Sequence, residues 1–152
     1  MNKDEVIKKI GKYFDIQELV CKHIYNKWGD RSWMFLEQRF LESLLSIRRD
    51  ILCAPMYCNN WESGGSFSQR GRRCNLCQLV RDATNKGSLY LTAHASGLAG
   101  DFTVSGMSAE EARKKIIANK HMLPYNIRLE GRVSWLHVDC YDDLSGEKIK
   151  VF

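Results

Sequence analysis

The sequence predicts an α+β domain in which N-terminal helices pack on a small antiparallel sheet. Apolar side chains recur at helical spacing through residues 1–52. After residue 89, short apolar runs alternate with turn residues, which is typical of strands. One more helical segment, 109–120, separates the strand regions. Helices first and strands afterwards, with one crossover helix, indicate an antiparallel α+β arrangement.

The composition indicates one globular domain spanning residues 1–152. Hydrophobic residues make up 44% and charged residues 27% of the chain, and this length can bury one core of ordinary size. No apolar run approaches a bilayer span, so we expect no membrane partner. The net charge of +5 favours an acidic partner, but acidic and basic residues interleave along the helices, so we expect no nucleic acid partner. We expect a monomer.

Two helices are predicted before residue 55. Asp15-Ile-Gln-Glu18 is a capping box, and the helix it opens should run to Gly29. His23 lies on the apolar face of that helix and is expected to be a core histidine. The second helix should begin at Ser32 and end at Leu52.

The second half of the chain reads as strands around one helix. Residues 56–61 predict a strand that enters a loop at 62–71. A capping box at 108–111 opens the crossover helix. Strands are then expected at 125–129 and 132–140, joined by a turn at Glu130 and Gly131, and a Ser-Gly hairpin at 145–146 should close the sheet with 148–152.

Six cysteines occur in a chain whose charged first ten residues do not read as a signal peptide. We therefore expect synthesis in a cytoplasm and reduced thiols. Cys74 and Cys77 have a spacing that can hold a metal or act in redox chemistry. A structural zinc needs a second pair, which Cys58 or Cys140 could complete only through the fold, so buried thiols are the favoured interpretation.

Two short segments contain a candidate metal site. The first holds His94 and Asp101, and the second, Trp135-Leu-His137-Val-Asp139, holds His137. Two imidazoles and a carboxylate are a common catalytic zinc set, because they leave a fourth position for water. Gly97 and Ala99 between the first two ligands would let the backbone pass close to the metal. Each residue alone would more simply be a half-buried histidine or a turn residue.

These segments resemble the zinc peptidases that include D-Ala-D-Ala carboxypeptidases, phage L-alanyl-D-glutamate endolysins and the hedgehog signalling domain. The family signature is His-x2-Gly-x-Ala-x-Asp, followed by a third ligand histidine on a strand. This chain supplies His94, Gly97, Ala99, Asp101 and then His137. The resemblance implies that His94, Asp101 and His137 bind Zn²⁺ on the open face of the sheet.

The family pattern is broken at the usual catalytic acid. Many members carry Glu or Asp three residues before the last ligand, where this chain has Ser134. Asp139 lies on the same strand face as His137 and is the candidate general base. An alternative role for Asp139 is to fix the tautomer of His137. Glu130 is a weaker candidate base, because it lies in the expected turn.

An arginine that binds the substrate carboxylate or the reaction oxyanion is also implied. Arg70 and Arg73 stand where the family carries one, although this loop is longer and lacks the usual Ser-Gly-Tyr-Arg sequence. An arginine fork suits a carboxylate because it offers two parallel hydrogen bonds. A solvated basic loop is the alternative interpretation.

The resemblance implies a zinc-dependent peptidase that cleaves peptidoglycan stem peptides as a carboxypeptidase or endolysin. A compact member of this kind resembles a phage or prophage lysis enzyme, which reaches the cell wall with the help of a partner. Ser134 supports an alternative, in which the fold and zinc remain but catalysis is lost and the protein is a binding or virion-associated module.

Overall fold

The N-terminal third of the chain is helical, as predicted. The computed structural model describes residues 1–152. Helix α1 (Lys3–Ile10) begins at Asn2, whose side chain accepts a hydrogen bond from the Glu5 amide while the Glu5 carboxylate accepts one from the Asn2 amide. This reciprocal cap satisfies two amides that the first helical turn leaves free.

The helix predicted from Asp15 to Gly29 is interrupted. Asp15 caps a short helix α2 (Ile16–Leu19), and α3 (Lys22–Trp28) follows only after an extended break. At the break, the Arg72 amide donates to the Leu19 carbonyl at 2.8 Å, and the Cys21 amide donates to the Arg72 carbonyl at 3.0 Å. The prediction of one continuous helix was wrong because the Leu19 carbonyl and the Cys21 amide form hydrogen bonds with the distant Arg72 instead of with the next helical turn.

The second predicted helix is also built from segments. A 3₁₀ turn (Gly29–Phe35) precedes α4 (Gln38–Ser46), which continues as a π-helical turn (Ile47–Leu52). The helix ends at Cys53, which adopts a left-handed conformation with φ +54°. The predicted apolar stripe is nevertheless buried along α4, where Phe40, Leu41, Leu44 and Leu45 are almost fully inaccessible.

The sheet has five strands in the order β1-β2-β4-β3-β5. The strands are β1 (Met56–Tyr57), β2 (Ala99–Val104), β3 (Ile127–Leu129), β4 (Leu136–Asp139) and β5 (Ile149–Val151). Neighbours are antiparallel except β3 and β5, which are parallel. The fold is therefore α+β with a mixed sheet, and the predicted purely antiparallel sheet was wrong. Because β2 and β3 occupy both edges of β4, the last strand cannot return beside it as a hairpin.

Two further helices lie in the second half of the chain. Helix α5 (Gln78–Asn85) was not predicted, whereas α6 (Ala109–Ala118) begins at the predicted capping box and crosses between β2 and β3. A contiguous cluster of buried apolar side chains joins the helices to the sheet. None of the helices has the length and apolar character needed to cross a membrane.

Candidate metal centre

Three separate elements bring His94, Asp101 and His137 together. His94 lies in a 3₁₀ turn (Ala93–Ser96), Asp101 in β2 and His137 in β4. Asp101 and His137 are directly opposed in the antiparallel register of β2 and β4, so both side chains emerge on the same face of the sheet. All three side chains are buried.

The two imidazoles converge on the carboxylate. His137 Nδ1 lies 2.7 Å from Asp101 Oδ1, and His94 Nε2 lies 3.3 Å from Asp101 Oδ2. The three potential ligand atoms all lie within 4.8 Å of one another, so the group could hold a metal ion.

The outer nitrogen of each imidazole has its own acceptor. His94 Nδ1 lies 2.8 Å from the Gly71 carbonyl oxygen, and His137 Nε2 lies 2.7 Å from Asp139 Oδ2. Outer acceptors of this kind fix the tautomer and the ring orientation of metal-binding histidines. His94 Nε2 and His137 Nδ1 are therefore the nitrogens turned toward a prospective ion.

Asp139 is enclosed by its partners. It is fully buried, and Arg128 donates to its two oxygens from Nε and Nη2 at 2.9 and 3.0 Å. The Tyr141 amide donates to Oδ1 at 3.0 Å. Burial opposes ionisation, but the hydrogen bonds with His137 and Arg128 outweigh it and hold the pKa of Asp139 below its usual value. Both carboxylate oxygens of Asp139 therefore already have hydrogen-bond partners.

The metal-free centre favours a charged His137. Burial lowers the pKa of this imidazole, but the hydrogen bonds with Asp101 and Asp139 outweigh it and raise the pKa to about 9. Burial likewise raises the pKa of Asp101, and its contacts with His137 and His94 more than offset that effect, so the net shift is downward. A proton and a metal ion would compete for His137 Nδ1.

Gly97 is required by the way its turn packs on the scaffold. It has φ +71°, and a Cβ at this position would lie 2.0 Å from the Phe35 carbonyl oxygen. Its carbonyl accepts the Glu37 amide at 2.9 Å. Gly97 therefore lets the turn that carries His94 lie against the helical scaffold.

An open cleft of about 460 Å³ lies over the three residues. Arg73, Glu130, Trp135 and Phe152 are among the residues that line it. Arg73 reaches Tyr90 Oη at 2.7 Å and Asp101 Oδ2 at 3.5 Å, so its guanidinium borders the candidate metal centre. The structure therefore places this predicted arginine at the site.

Arg70 lies in a neighbouring cleft of about 470 Å³, which Ser134 also lines. Its guanidinium donates to Thr103 Oγ1 at 3.1 Å and stacks over the Phe67 ring at 4.4 Å. This cleft shares Arg73, Asp101 and Trp135 with the cleft over the metal centre. Arg73 thus lines the cleft over the metal ligands, whereas Arg70 lines only the neighbouring cleft.

A second group that could hold a metal ion consists of Cys21, His23, Cys74 and Cys77. The prediction that His23 is a core histidine was wrong, because the side chain is only partly buried and its Nδ1 faces the thiols. Cys58 and Cys140 lie outside the group. The Cys-x2-Cys spacing was visible in the sequence, but nothing in it linked that pair to Cys21 and His23.

No family model matches this chain, and no match to it was found among the curated proteins or the solved structures. The arrangement of side chains therefore carries the functional argument.

Proposed function

We propose that this chain is a zinc-dependent peptidase or amidase that acts on the stem peptides of bacterial peptidoglycan. The observation that carries the proposal is the convergence of His94 Nε2 and His137 Nδ1 on Asp101 beneath an open cleft. Two imidazoles and one carboxylate suit zinc, and three protein ligands leave one coordination position open, as in catalytic sites.

The surroundings of the two histidines also fit zinc. The Gly71 carbonyl and the Asp139 carboxylate accept hydrogen bonds from the outer nitrogens of His94 and His137. Each ring can therefore present its remaining nitrogen as a neutral ligand. Zinc bound here would supply Lewis acidity, polarising a scissile carbonyl and lowering the pKa of a coordinated water toward ~7.

Asp139 suits the role of orienting His137 better than the role of general base. A base must have a free oxygen, whereas both Asp139 oxygens are held by His137, Arg128 and the Tyr141 amide. Its lowered pKa also makes it a weak proton acceptor. Asp139 instead keeps the proton on His137 Nε2 and leaves Nδ1 for the metal.

Glu130 is the better placed carboxylate for proton transfer. It lines the cleft together with the three ligands, is partly exposed, and its carboxylate makes no hydrogen bond or ion pair. Arg113 donates to the Glu130 carbonyl at 3.3 Å, which holds this part of the chain beside the cleft. A free carboxylate in the cleft can accept a proton from water and return it to the leaving amine.

Arg73 and Trp135 provide contacts for the rest of a peptide substrate. Arg73 is the guanidinium in the cleft not already paired with Asp139, and it can meet a substrate carboxylate. Trp135 lines both clefts and offers an apolar wall across which an extended peptide can lie. Stem peptides are extended and carry carboxylates, which agrees with this lining, and the family resemblance of the two metal segments selects this substrate class.

The test is peptide release from purified peptidoglycan by the zinc-loaded protein, read by mass spectrometry. We expect His137→Ala to lose activity and one zinc ion per chain. Glu130→Gln should retain zinc and lower kcat by about 100-fold, the usual size of a general-base contribution. Arg73→Met should chiefly raise KM. Glu147→Gln, which alters an exposed carboxylate outside the cleft, is the matched control and should leave activity unchanged.

A second candidate function is a zinc-containing binding module. Ser134 supplies no carboxylate to the neighbouring cleft, and Asp139 is fully occupied, so catalysis depends on Glu130 alone. If the wild-type protein holds zinc and binds the wall but releases no fragments from several wall types, the peptidase proposal fails and the binding module replaces it. Unchanged activity in Glu130→Gln would refute only the assignment of the base.

A further inference from the structure

We propose that Cys21, His23, Cys74 and Cys77 bind a structural zinc ion that fastens the loop carrying Gly71 and Arg73 to the helical scaffold. This site is separate from the candidate catalytic centre, and its existence does not depend on the proposed function.

The four side chains already form a compact donor set. Cys74 Sγ lies 3.6 Å from His23 Nδ1, Cys77 Sγ lies 3.9 Å from the same nitrogen, and the two sulfurs are 4.0 Å apart. All four potential ligand atoms, including Cys21 Sγ, lie within 4.8 Å of one another. Three thiolates and one imidazole are a common ligand set of structural zinc, which is tetrahedral and takes its fourth ligand from the protein.

The backbone is built to bring the two halves of the set together. A parallel bridge between Val20 and Arg72 aligns the segment holding Cys21 and His23 with the segment holding Cys74 and Cys77. Gly71 permits this approach, because a Cβ there would lie 2.2 Å from the Leu19 carbonyl oxygen.

Backbone amides and one guanidinium approach the sulfur atoms. The Leu76 amide lies 3.4 Å from Cys74 Sγ, and the Cys74 amide lies 3.4 Å from Cys77 Sγ, so backbone amides point at both sulfurs. The partly buried guanidinium of Arg72 lies close enough to interact electrostatically with all three cysteines. Three thiolates around Zn²⁺ leave one negative charge, which this guanidinium would offset.

The position of the cluster assigns its role. Four protein ligands close the coordination shell, so the ion would stabilise the fold rather than react with a substrate. Besides the Arg73 guanidinium beside Asp101, the backbone of the loop makes three hydrogen bonds with the candidate metal centre. Gly71 O is the acceptor of His94 Nδ1, the Arg73 amide donates to the His94 carbonyl, and the Asp101 amide donates to the Arg70 carbonyl.

The test begins with the wild-type chain and needs no variant. Protein purified without chelator should contain two zinc ions per chain by elemental analysis. After replacement by Co²⁺, the absorption spectrum should show a sulfur-to-cobalt charge-transfer band, which a site made of His94, Asp101 and His137 cannot produce. One zinc ion without the charge-transfer band, or a Cys74–Cys77 disulfide found by mass spectrometry in reductant-free protein, would overturn the proposal.

Variants then separate the two sites. Cys77→Ser should lose one zinc ion and the charge-transfer band, whereas Cys53→Ser, which alters an exposed thiol outside the cluster, should keep both. His137→Ala should lose one zinc ion but keep the band. A chain that shows the band but releases no peptide would retain the structural zinc and lose the proposed peptidase function, so the two proposals fail separately. If Cys77→Ser retains two zinc ions, the structural site is refuted.

Discussion

Replacing Gly97 by alanine tests how the turn carrying His94 is held against the scaffold. Gly97 has φ +71°, and the added Cβ would meet the Phe35 carbonyl oxygen at 2.0 Å and its carbon at 3.0 Å. Left-handed conformation costs a residue with a side chain about 1 kcal/mol. Because the obstacle is backbone, relieving the overlap should cost about 2 kcal/mol more. The free energy of unfolding should therefore fall by about 3 kcal/mol, and the Tm by about 10 °C.

Gly87 provides a matched control for this substitution. It has φ +74°, but nothing lies within 4 Å of a Cβ built there. Gly87→Ala therefore carries only the conformational cost, about 1 kcal/mol or about 3 °C in Tm. Urea and thermal denaturation of both variants, followed by circular dichroism, measure the difference. Because Gly97 lies three residues after His94, Gly97→Ala should also weaken zinc binding at the candidate metal centre of His94, Asp101 and His137. Equal loss of stability in the two variants would refute the close approach of Gly97 to Phe35.

Two further predictions concern the charges around His137. The raised pKa of His137 in the metal-free centre stabilises the fold below about pH 6.5. This stabilisation should be lost as the pH rises through about 9. Urea denaturation after selective removal of metal from the candidate metal centre can measure the loss. Over that range, apparent zinc affinity should rise about tenfold per pH unit, because the metal displaces one proton. Arg128→Met removes the guanidinium that binds both oxygens of the buried Asp139 carboxylate and leaves His137 as its only charged partner, so the free energy of unfolding should fall by about 3 kcal/mol. Zinc affinity at the centre should fall by about 10-fold or more in the same variant.

Simple outcomes would contradict these two predictions. Zinc affinity that does not change between pH 6.5 and 9 would mean that His137 holds no proton for the metal to displace. Arg81→Met is the control for Arg128→Met, because Arg81 is exposed and its guanidinium makes no hydrogen bond or ion pair. Equal stability of the two variants would show that Arg128 does not compensate the charge of Asp139.

The helix starts and the candidate ligands were predictable because their signals are local. The capping box at Ser108 forms both of its hydrogen bonds, and at Asp15 the Glu18 carboxylate accepts the Asp15 amide at 3.1 Å; both helices begin where the sequence placed them. The spacing of His94 and Asp101, with His137 farther on, identified three residues that the structure brings together as a possible metal site. Ends of elements were less predictable, since the break after Leu19 depends on hydrogen bonds to Arg72.

Relationships between distant segments were decided by the tertiary structure. Cys21 and His23 meet Cys74 and Cys77 across more than fifty residues, through a backbone bridge that leaves no pattern in either segment. The parallel pairing of β5 follows from the occupied edges of β4.

By itself, the sequence determined the helical first third, the capping boxes and the types of residue available as metal ligands. Only the tertiary structure decided that Arg128 encloses Asp139 and that Glu130, whose carboxylate makes no hydrogen bond or ion pair, lines the cleft. The physical reason is the separation along the chain over which each interaction acts. Caps and periodic apolar faces act within a few residues, whereas burial and the pairing of charges depend on which remote side chains the folded core brings into contact.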